Sequence, residues 1–212
     1  MRDIPVFTTQ YGAASLVLKE IPYSADAYVR IQCAEDAEKL LQECISFCRS
    51  AGAERVYATG HPYLEKYPFH TSVVSMHCPR ESIADTDATL IPMQEETLEQ
   101  WRALYNTGMK GIDNASYMSL ADARKLLAAN EGYFIYLDSR LVGIGAASCD
   151  TIRAVISLRR GAGADVVSAL CRRMTGDRVN LEVASTNTRA IRLYQRMGFQ
   201  PDGEISRWYK II

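Results

Sequence analysis

Two different periods of hydrophobic and polar positions divide the last quarter of the chain into predicted strands and helices. Residues 152–158 alternate with a period of two, which is typical of a strand, and a glycine-bearing turn follows at residues 159–164. Apolar residues then recur at helical spacing up to Met174. The pattern next predicts a strand over residues 179–185 and a helix that stops at Gly198, the residue type that commonly ends helices.

The first ninety residues repeat this order of elements in a weaker form. The predicted elements are strands at 6–9, 14–18 and 28–33, a helix from Glu35 to about Gly52, a strand at 55–59, a short helical piece from His61 and a strand at 71–77. The polar stretch at residues 85–87 interrupts the periodicity. We therefore predict two units with the boundaries 1–87 and 88–212, which we interpret as a degenerate tandem repeat.

The second unit opens with a further set of alternating and helical patterns. These predict a strand at 89–92, a helix entered at 95–98, a loop at 108–114, a helix at 119–129 and a hairpin formed by strands 133–137 and 141–147. Helices mixed with adjacent strands indicate an α/β (α+β) fold, with a mixed, twisted sheet flanked by helices.

Composition and charge narrow the classes of partner. The 212 residues are 48% hydrophobic and 23% charged, and no apolar run approaches the ~20 residues of a membrane span. The N-terminus has no secretion signal pattern, so we expect a cytoplasmic protein without membrane partners. Net charge is −4 over residues 1–90 and +3 over residues 91–212. This balance suits a small anionic ligand and argues against nucleic acid.

The six cysteines do not predict a metal site. None has C-x-x-C spacing, and Cys44 and Cys48 fall on the apolar face of a predicted helix with no histidine near in sequence. We expect reduced core thiols and no bound metal.

The turn at residues 159–164 is a candidate phosphate site. Glycines between a strand and a helix let backbone amides approach an anion at the positive end of the helix dipole. The same Arg-Gly-x-Gly pattern also occurs in ordinary tight connections, so the turn alone is a weak signal.

The turn and the last helix together resemble the signature of the GCN5-related N-acetyltransferase (GNAT) superfamily. The resemblance rests on Arg160-Gly161-Ala162-Gly163 and on the Asn, Ala, Leu-Tyr and Gly-Phe of residues 187–199. It covers residues 89–212 well and the first ninety residues faintly. It implies two GNAT-like units, of which only the second keeps a cofactor signature, because the first replaces the glycine-rich turn with Ala34-Glu35-Asp36.

The resemblance implies acetyl-CoA as co-substrate and a set of residues that bind it. The implied cofactor-binding residues are Val155, Ile156, Ser157 and Leu158 on the strand, Arg160, Gly161, Ala162, Gly163, Ala164 and Asp165 at the turn and helix start, and Asn187, Arg189 and Tyr194 on the last helix. Asp165 departs from the family pattern, which has Gly or Ala there. Its carboxylate either points away from the incoming phosphate or weakens the site.

Two residues are candidate catalysts. Tyr194 is expected to protonate the leaving CoA thiolate, although its spacing also suits a core aromatic. Asn187 either caps its helix, contacts the cofactor, or does both. No carboxylate lies on the strand before the turn. Glu182, expected to be a partly buried acid in the middle of the next strand, is therefore the nearest candidate for the general base. A water molecule as the base, or a reaction without a dedicated base, is also consistent with the sequence.

The function predicted from the sequence is N-acetyl transfer from acetyl-CoA to a primary amine by direct attack, that is, an acyltransferase transferring groups other than amino-acyl groups. The alternative is a GNAT scaffold that has lost catalysis and serves as a ligand-sensing or interaction module. The amine acceptor is not identified by the sequence, and a homodimer is left open.

Overall fold

A computed structural model describes residues 5–212 and contains eleven strands and six α-helices in that range. The strands are β1 (Val6–Thr9), β2 (Gly12–Val17), β3 (Asp26–Ala34), β4 (Arg55–Thr59), β5 (Phe69–Pro79), β6 (Thr89–Pro92), β7 (Gly132–Leu137), β8 (Arg140–Ala147), β9 (Thr151–Ser157), β10 (Arg178–Ala184) and β11 (Gln200–Lys210). The helices are α1 (Ile21–Ser24), α2 (Ala37–Ser50), α3 (Leu98–Met109), α4 (Leu120–Ala128), α5 (Gly163–Cys171) and α6 (Thr188–Arg196). Short 3₁₀ segments lie at Pro62–Lys66, Arg80–Ser82 and Glu95–Thr97.

The chain divides into two compact units whose boundaries fall inside strands. Unit 1 comprises Met1–Ser72 and Glu204–Ile212, and unit 2 comprises Val73–Gly203. The boundaries therefore lie within β5 and β11, whereas the sequence predicts a division after residue 87. The reason is strand pairing, since most of β5 pairs with β10 of unit 2. The tandem-repeat interpretation stays a prediction.

Unit 1 is a sheet with one buried helix. Antiparallel pairs join β1 to β2 and β2 to β3, a parallel pair joins β3 to β4, and β4 pairs antiparallel with the end of β11. The apolar face of α2, with Leu40, Leu41, Cys44 and Cys48, packs into the core against alternate residues of β3. Asp36 caps α2 by accepting a hydrogen bond from the Lys39 N–H at 3.0 Å.

Unit 2 has a mixed sheet with helices on both faces. β5 pairs antiparallel with β10, β10 pairs parallel with β9, and β9, β8, β7 and β6 follow as antiparallel neighbours. One core contains residues of α5 and α6, and the other contains residues of α3 and α4. This arrangement confirms the predicted fold class, a mixed sheet flanked by helices, and β5 completes the sheet from the N-terminal side of the chain.

The predicted loop at 108–114 is wrong at its start, because α3 continues through Gly108 to Met109. A Cβ placed on Gly108 would lie 2.4 Å from Cγ2 of Ile156. The glycine therefore stays helical because it lets α3 lie close against β9, a tertiary contact that local sequence does not show. Within residues 5–212, no helix has the length and apolar character needed to cross a membrane.

Candidate active site

The parallel strands β9 and β10 of unit 2 separate soon after they meet. Both strands are seven residues long, yet only Thr151 with Asn180 and Ile152 with Leu181 are paired. A register shift between Ala146 and Ala147 leaves Arg153 as an extra residue on the other edge of β9. Such a bulge bends and twists its strand. Beyond Ile152, in the described part of the chain, the edge of β9 that faced β10 is without a strand partner.

The turn that follows β9 is open to solvent. Gly161 has a φ of 94°, and a Cβ placed on it would meet nothing within 4 Å. Arg159 and Arg160 are exposed beside it. α5 begins at Gly163 without a side-chain cap from Ala162, so the first amides of α5 receive no capping hydrogen bond from that residue. An uncapped helix start next to two arginines favours binding of an anion.

Asp165 lies in the first turn of α5, and its carboxylate is already engaged. The Thr86 hydroxyl donates a hydrogen bond of 2.8 Å to Asp165 Oδ1, and the same hydroxyl oxygen accepts one of 3.2 Å from the Ala88 N–H. The side chain is therefore held toward Thr86. Of the two outcomes left open by the sequence, this contact favours a carboxylate that is turned away from the helix end.

α6 carries Asn187 at its start and Tyr194 on its buried side. Asn187 caps the helix, because its Oδ1 accepts a hydrogen bond of 3.2 Å from the Ala190 N–H. The Tyr194 ring is 5.7 Å from the ring of Phe199, and the residue is 8% exposed. Burial raises the pKa of Tyr194 to about 12, so the phenol keeps its proton at neutral pH.

A small cavity joins the start of α6 to the loop after α3. Its volume is about 180 Å³, and it is lined by Gly111, Ile112, Asp113, Thr186, Asn187, Thr188 and Arg189. The Thr186 hydroxyl donates a hydrogen bond of 2.7 Å to Asp113 Oδ2, which ties the loop to the connection between β10 and α6. Of the basic residues on α6, Arg189 lines the cavity, while Arg192 and Arg196 lie on the exposed surface.

The predicted environment of Glu182 is wrong. The sequence analysis expects a partly buried carboxylate, whereas Glu182 is exposed. It stands immediately after Leu181, the last residue of β10 that pairs with β9, and directly opposite Ser75 of β5. The side chain is exposed because α3 and α4 pack over β7 to β9 in unit 2 and leave this face of β10 uncovered.

Sequence reasoning missed a group of polar side chains on the same face of β10 and β5. His77 Nδ1 lies 3.5 Å from Asp202 Oδ1, and Asp202 Oδ2 accepts a hydrogen bond of 2.6 Å from Arg178. Arg178 also donates to Asn180 Oδ1 at 3.0 Å. His77 stands on a segment predicted as a strand, but nothing in the sequence shows which strand it adjoins.

The remaining predicted cofactor residues follow the chain from β9 into α5. Val155, Ile156 and Ser157 lie on the part of β9 that pairs with β8 but not with β10. Leu158 is exposed after β9, and Ala162, Gly163 and Ala164 are half-buried at the start of α5. All thirteen predicted binding residues thus belong to unit 2, around the gap, the turn or α6.

Two further features concern metal binding. Across residues 5–212, no three His, Cys, Asp or Glu side chains are grouped so that they could hold a metal ion. Cys44 and Cys48 are buried on α2, and burial raises their pKa values to about 12 and about 11. Both are therefore neutral thiols near pH 7.

A family model matches one segment of the sequence. Residues 157–209 match the family model described as FR47-like protein, a stretch that runs from the end of β9 into β11. No curated protein sequence matches the chain.

In fold, the resemblance extends over nearly the whole chain. A functionally unknown conserved protein from Staphylococcus epidermidis ATCC 12228 has a TM-score of 0.65 at 13% identity, over 98% of this chain and 93% of that one. A GCN5-related N-acetyltransferase from Anabaena variabilis ATCC 29413 has a TM-score of 0.62 at 13% identity, over 98% of this chain and 58% of that one. Another GCN5-related N-acetyltransferase, from Sphaerobacter thermophilus, has a TM-score of 0.60 at 13% identity, over 94% of this chain and 76% of that one. These structures confirm the predicted fold, and in that fold the chain resembles GCN5-related N-acetyltransferases.

Proposed function

From the GCN5-related N-acetyltransferase fold of this chain, we propose that it is an N-acetyltransferase that transfers the acetyl group of acetyl-CoA to a primary amine by direct attack. The observation that carries the proposal is the gap between β9 and β10, which leaves one backbone edge of β9 unpaired beside an uncapped helix start. An extended, amide-containing arm that ends in a pyrophosphate complements these two features, because it can pair with the free edge and place its charge at the helix.

Each part of the site has a role in binding. The backbone of residues 155–158 would align the pantetheine arm, and the amides of residues 160–165 would hold the pyrophosphate, with Arg160 adding positive charge. Asn187 Oδ1 is used in the helix cap, which leaves its Nδ2 group to donate to the arm. Arg189, at the cavity beside Asn187, would contact a phosphate.

The chemistry requires an acid for the departing thiolate. The amine nitrogen attacks the thioester carbonyl carbon, the new C–N bond forms and the C–S bond breaks. Tyr194 would donate its proton to the CoA sulfur, since burial keeps the phenol protonated. Its surroundings are apolar residues of the core that contains α5 and α6, which exclude water from this proton transfer.

Calorimetric titration with acetyl-CoA and with CoA tests the proposal. We expect micromolar binding to the wild-type protein and a loss of about tenfold or more in Arg160→Glu, because charge-assisted contacts contribute about 1.5–3 kcal/mol. Arg124→Glu is the matched control, since Arg124 is an exposed arginine of unit 2 on α4, where it pairs with Glu95 at 4.0 Å. It should bind as the wild type does.

Absence of binding up to millimolar acetyl-CoA would overturn the proposal and favour the alternative, a GNAT scaffold without catalysis. Equal loss in Arg160→Glu and Arg124→Glu would show a general charge effect and contradict the assignment of the turn at residues 159–164. With binding established, a screen of primary amines by release of free CoA thiol would identify the acceptor.

A further inference from the structure

The face of β5 and β10 that carries Glu182 holds the functional groups for a second proton transfer. The antiparallel register places Ser75 opposite Glu182 and His77 opposite Asn180. Directly opposite residues in such a pair have Cβ atoms about 5 Å apart, and diagonal neighbours are about 7–8 Å apart. Ser75, His77, Asn180 and Glu182 therefore form one polar patch beside the point where β9 and β10 separate.

His77 is the member of this patch whose ring lies beside a carboxylate. Its Nδ1 atom is enclosed and has no hydrogen bond within the described residues, but the nearest acidic atom, Asp202 Oδ1, is only 3.5 Å away. That distance is slightly longer than a hydrogen bond, and catalytic hydrogen bonds are often long before substrate binds. The His77 side chain is 27% exposed, so the ring is accessible from outside on another side.

Asp202 is itself held in position. Its second oxygen accepts the hydrogen bond from Arg178, and Arg178 also donates a hydrogen bond to Asn180. Asn180 in turn donates to the Asp150 backbone oxygen at 3.3 Å. A carboxylate fixed at Nδ1 selects the tautomer in which Nδ1 carries the proton and Nε2 is free to accept one.

We propose that His77, positioned by Asp202, is the general base that accepts the proton of the acceptor amine. The inference rests on the proposed acetyl transfer and supplies the base that the sequence did not reveal. As the amine nitrogen bonds to the acetyl carbonyl carbon, one N–H proton passes to His77 Nε2. The thiolate leaves with the proton of Tyr194. After CoA has left and solvent has entered the gap, the His77 proton returns through solvent to the Tyr194 phenolate, so each turnover is balanced.

The two faces of the sheet keep this base apart from the acid. Leu181 and Val183 of β10 point into the core that contains Tyr194, whereas Asn180 and Glu182 point to the opposite face with His77. An acetyl group in the gap between the strands would thus have the acid on one side and the base on the other. This separation prevents direct proton exchange between the two groups.

Nuclear magnetic resonance of ¹⁵N-histidine-labelled protein tests the assignment before any acceptor is known. The chain has three histidines, so the variants His61→Gln, His70→Gln and His77→Gln assign every imidazole signal. We expect His77 in the Nδ1–H tautomer when neutral, a shift of its signals on addition of acetyl-CoA, and no shift for His61, which lies in unit 1. Asp202→Asn should move His77 toward the Nε2–H tautomer.

Calorimetry on the same samples separates this inference from the proposed function. Acetyl-CoA that binds without shifting the His77 signals, or a His77 ring that carries its proton on Nε2 in the wild type, would overturn the role of His77 alone. Failure of acetyl-CoA to bind would overturn the acetyltransferase proposal, and the base assignment with it.

A kinetic measurement follows once an acetylated amine is found. His77→Gln should lower kcat/KM by about 10²–10⁴-fold, remove the fall in rate toward acidic pH and leave acetyl-CoA affinity unchanged. The charged groups around the ring are Asp202, Arg178 and Glu182, so Glu182→Gln is the comparison that separates the two candidate bases. If Glu182→Gln removes the acidic limb and His77→Gln does not, the base is Glu182. His61→Gln should leave the profile as in the wild type.

Discussion

The two parallel strand pairs of this protein differ in how far they stay together. In unit 1, all five residues of β4 pair with β3, from Arg55 with Asp26 to Thr59 with Arg30. In unit 2, β10 pairs with β9 through two residues before the strands separate. The same local arrangement of strand, helix and strand therefore yields a closed sheet in one unit and a gap in the other.

Two glycines with a similar backbone angle differ in their contacts, Gly60 after the second strand of the unit 1 pair and Gly161 in the turn after the first strand of the unit 2 pair. Gly60, just after β4, has a φ of 96°, and a Cβ placed there would lie 2.4 Å from the Ile31 carbonyl oxygen. The backbone at residue 60 thus presses against β3. Gly161, after β9, has a similar φ of 94° but meets nothing within 4 Å. A similar backbone angle closes unit 1 and leaves a solvent-facing turn in unit 2.

The starts of α2 and α5 also differ, in their capping and in the charge beside them. In unit 1 the α2 amides are capped by the Asp36 carboxylate, with Glu35 beside it, so negative charge already occupies the helix end. In unit 2 the start of α5 lacks a side-chain cap and is flanked by Arg159 and Arg160. An anion is repelled at the first position and attracted at the second. The proposed cofactor, which is anionic, is therefore expected at unit 2 and not at unit 1.

The largest effect that this comparison predicts is on the rate of Tyr194→Phe. In unit 1, the short 3₁₀ segment that follows β4 carries Leu64, a fully buried residue without a proton to donate. Removing the Tyr194 hydroxyl should lower kcat by about 10²-fold or more with the fold intact. Rates of thiol release and circular dichroism measure the two quantities. Tyr63→Phe in unit 1 is the control, and an equal rate loss there would contradict the assignment.

The same tyrosine predicts a loss of stability in alkali. Its pKa is 10.0 when unperturbed and about 12 in the folded protein, because burial disfavours the phenolate. Between these values the folded state keeps a proton that the unfolded state has lost, so the free energy of unfolding falls as pH rises from about 10 to 12. The contribution is about 3 kcal/mol. Urea unfolding at several pH values should show a smaller fall in Tyr194→Phe; an unchanged fall would show that Tyr194 is accessible to solvent.

Substitution of Gly60 and of Gly161 by alanine is expected to have smaller effects, on the free energy of unfolding. Gly60→Ala combines the positive φ with a clash against the Ile31 carbonyl, and we expect it to destabilise unit 1 by more than about 2 kcal/mol. Gly161→Ala incurs only the cost of the positive φ, about 1–2 kcal/mol. Urea midpoints compare the two variants. Equal midpoints would show that the β3–β4 pair can separate beyond Thr59 without cost.

The smallest predicted effect concerns Asp165. Asp165→Asn keeps a side-chain oxygen that can accept the Thr86 hydrogen bond but removes the negative charge from the first turn of α5. We expect acetyl-CoA to bind a few-fold more tightly, because a charge at a helix start contributes about 0.3–1 kcal/mol. Asp36→Asn in unit 1 should leave the affinity unchanged. Weaker binding in Asp165→Asn would instead show that the carboxylate organises the site.

Sequence patterns predicted many of the local elements of unit 2 but not the pairing of β5 with β10 that completes its sheet. The turn at 159–164, the α6 cap at Asn187 and the helix end near Gly198 were recognisable, because caps and turns depend on neighbouring residues. The exposure of Glu182 and the place of His77 were not. Both depend on β5 lying beside β10, a pairing of segments about a hundred residues apart in sequence.

By itself the sequence determined the local elements and the chemistry available to them. These are the glycine-rich turn, the arginines around it, the tyrosine on the apolar side of α6 and the carboxylate that caps α2. Periodicity and capping act over a few residues, so a single chain shows them. Only the tertiary structure decided where β9 and β10 separate, that the Asp165 carboxylate accepts a hydrogen bond from Thr86, and which histidine lies beside Asp202. These depend on strand register and on contacts between distant segments, which no local pattern specifies.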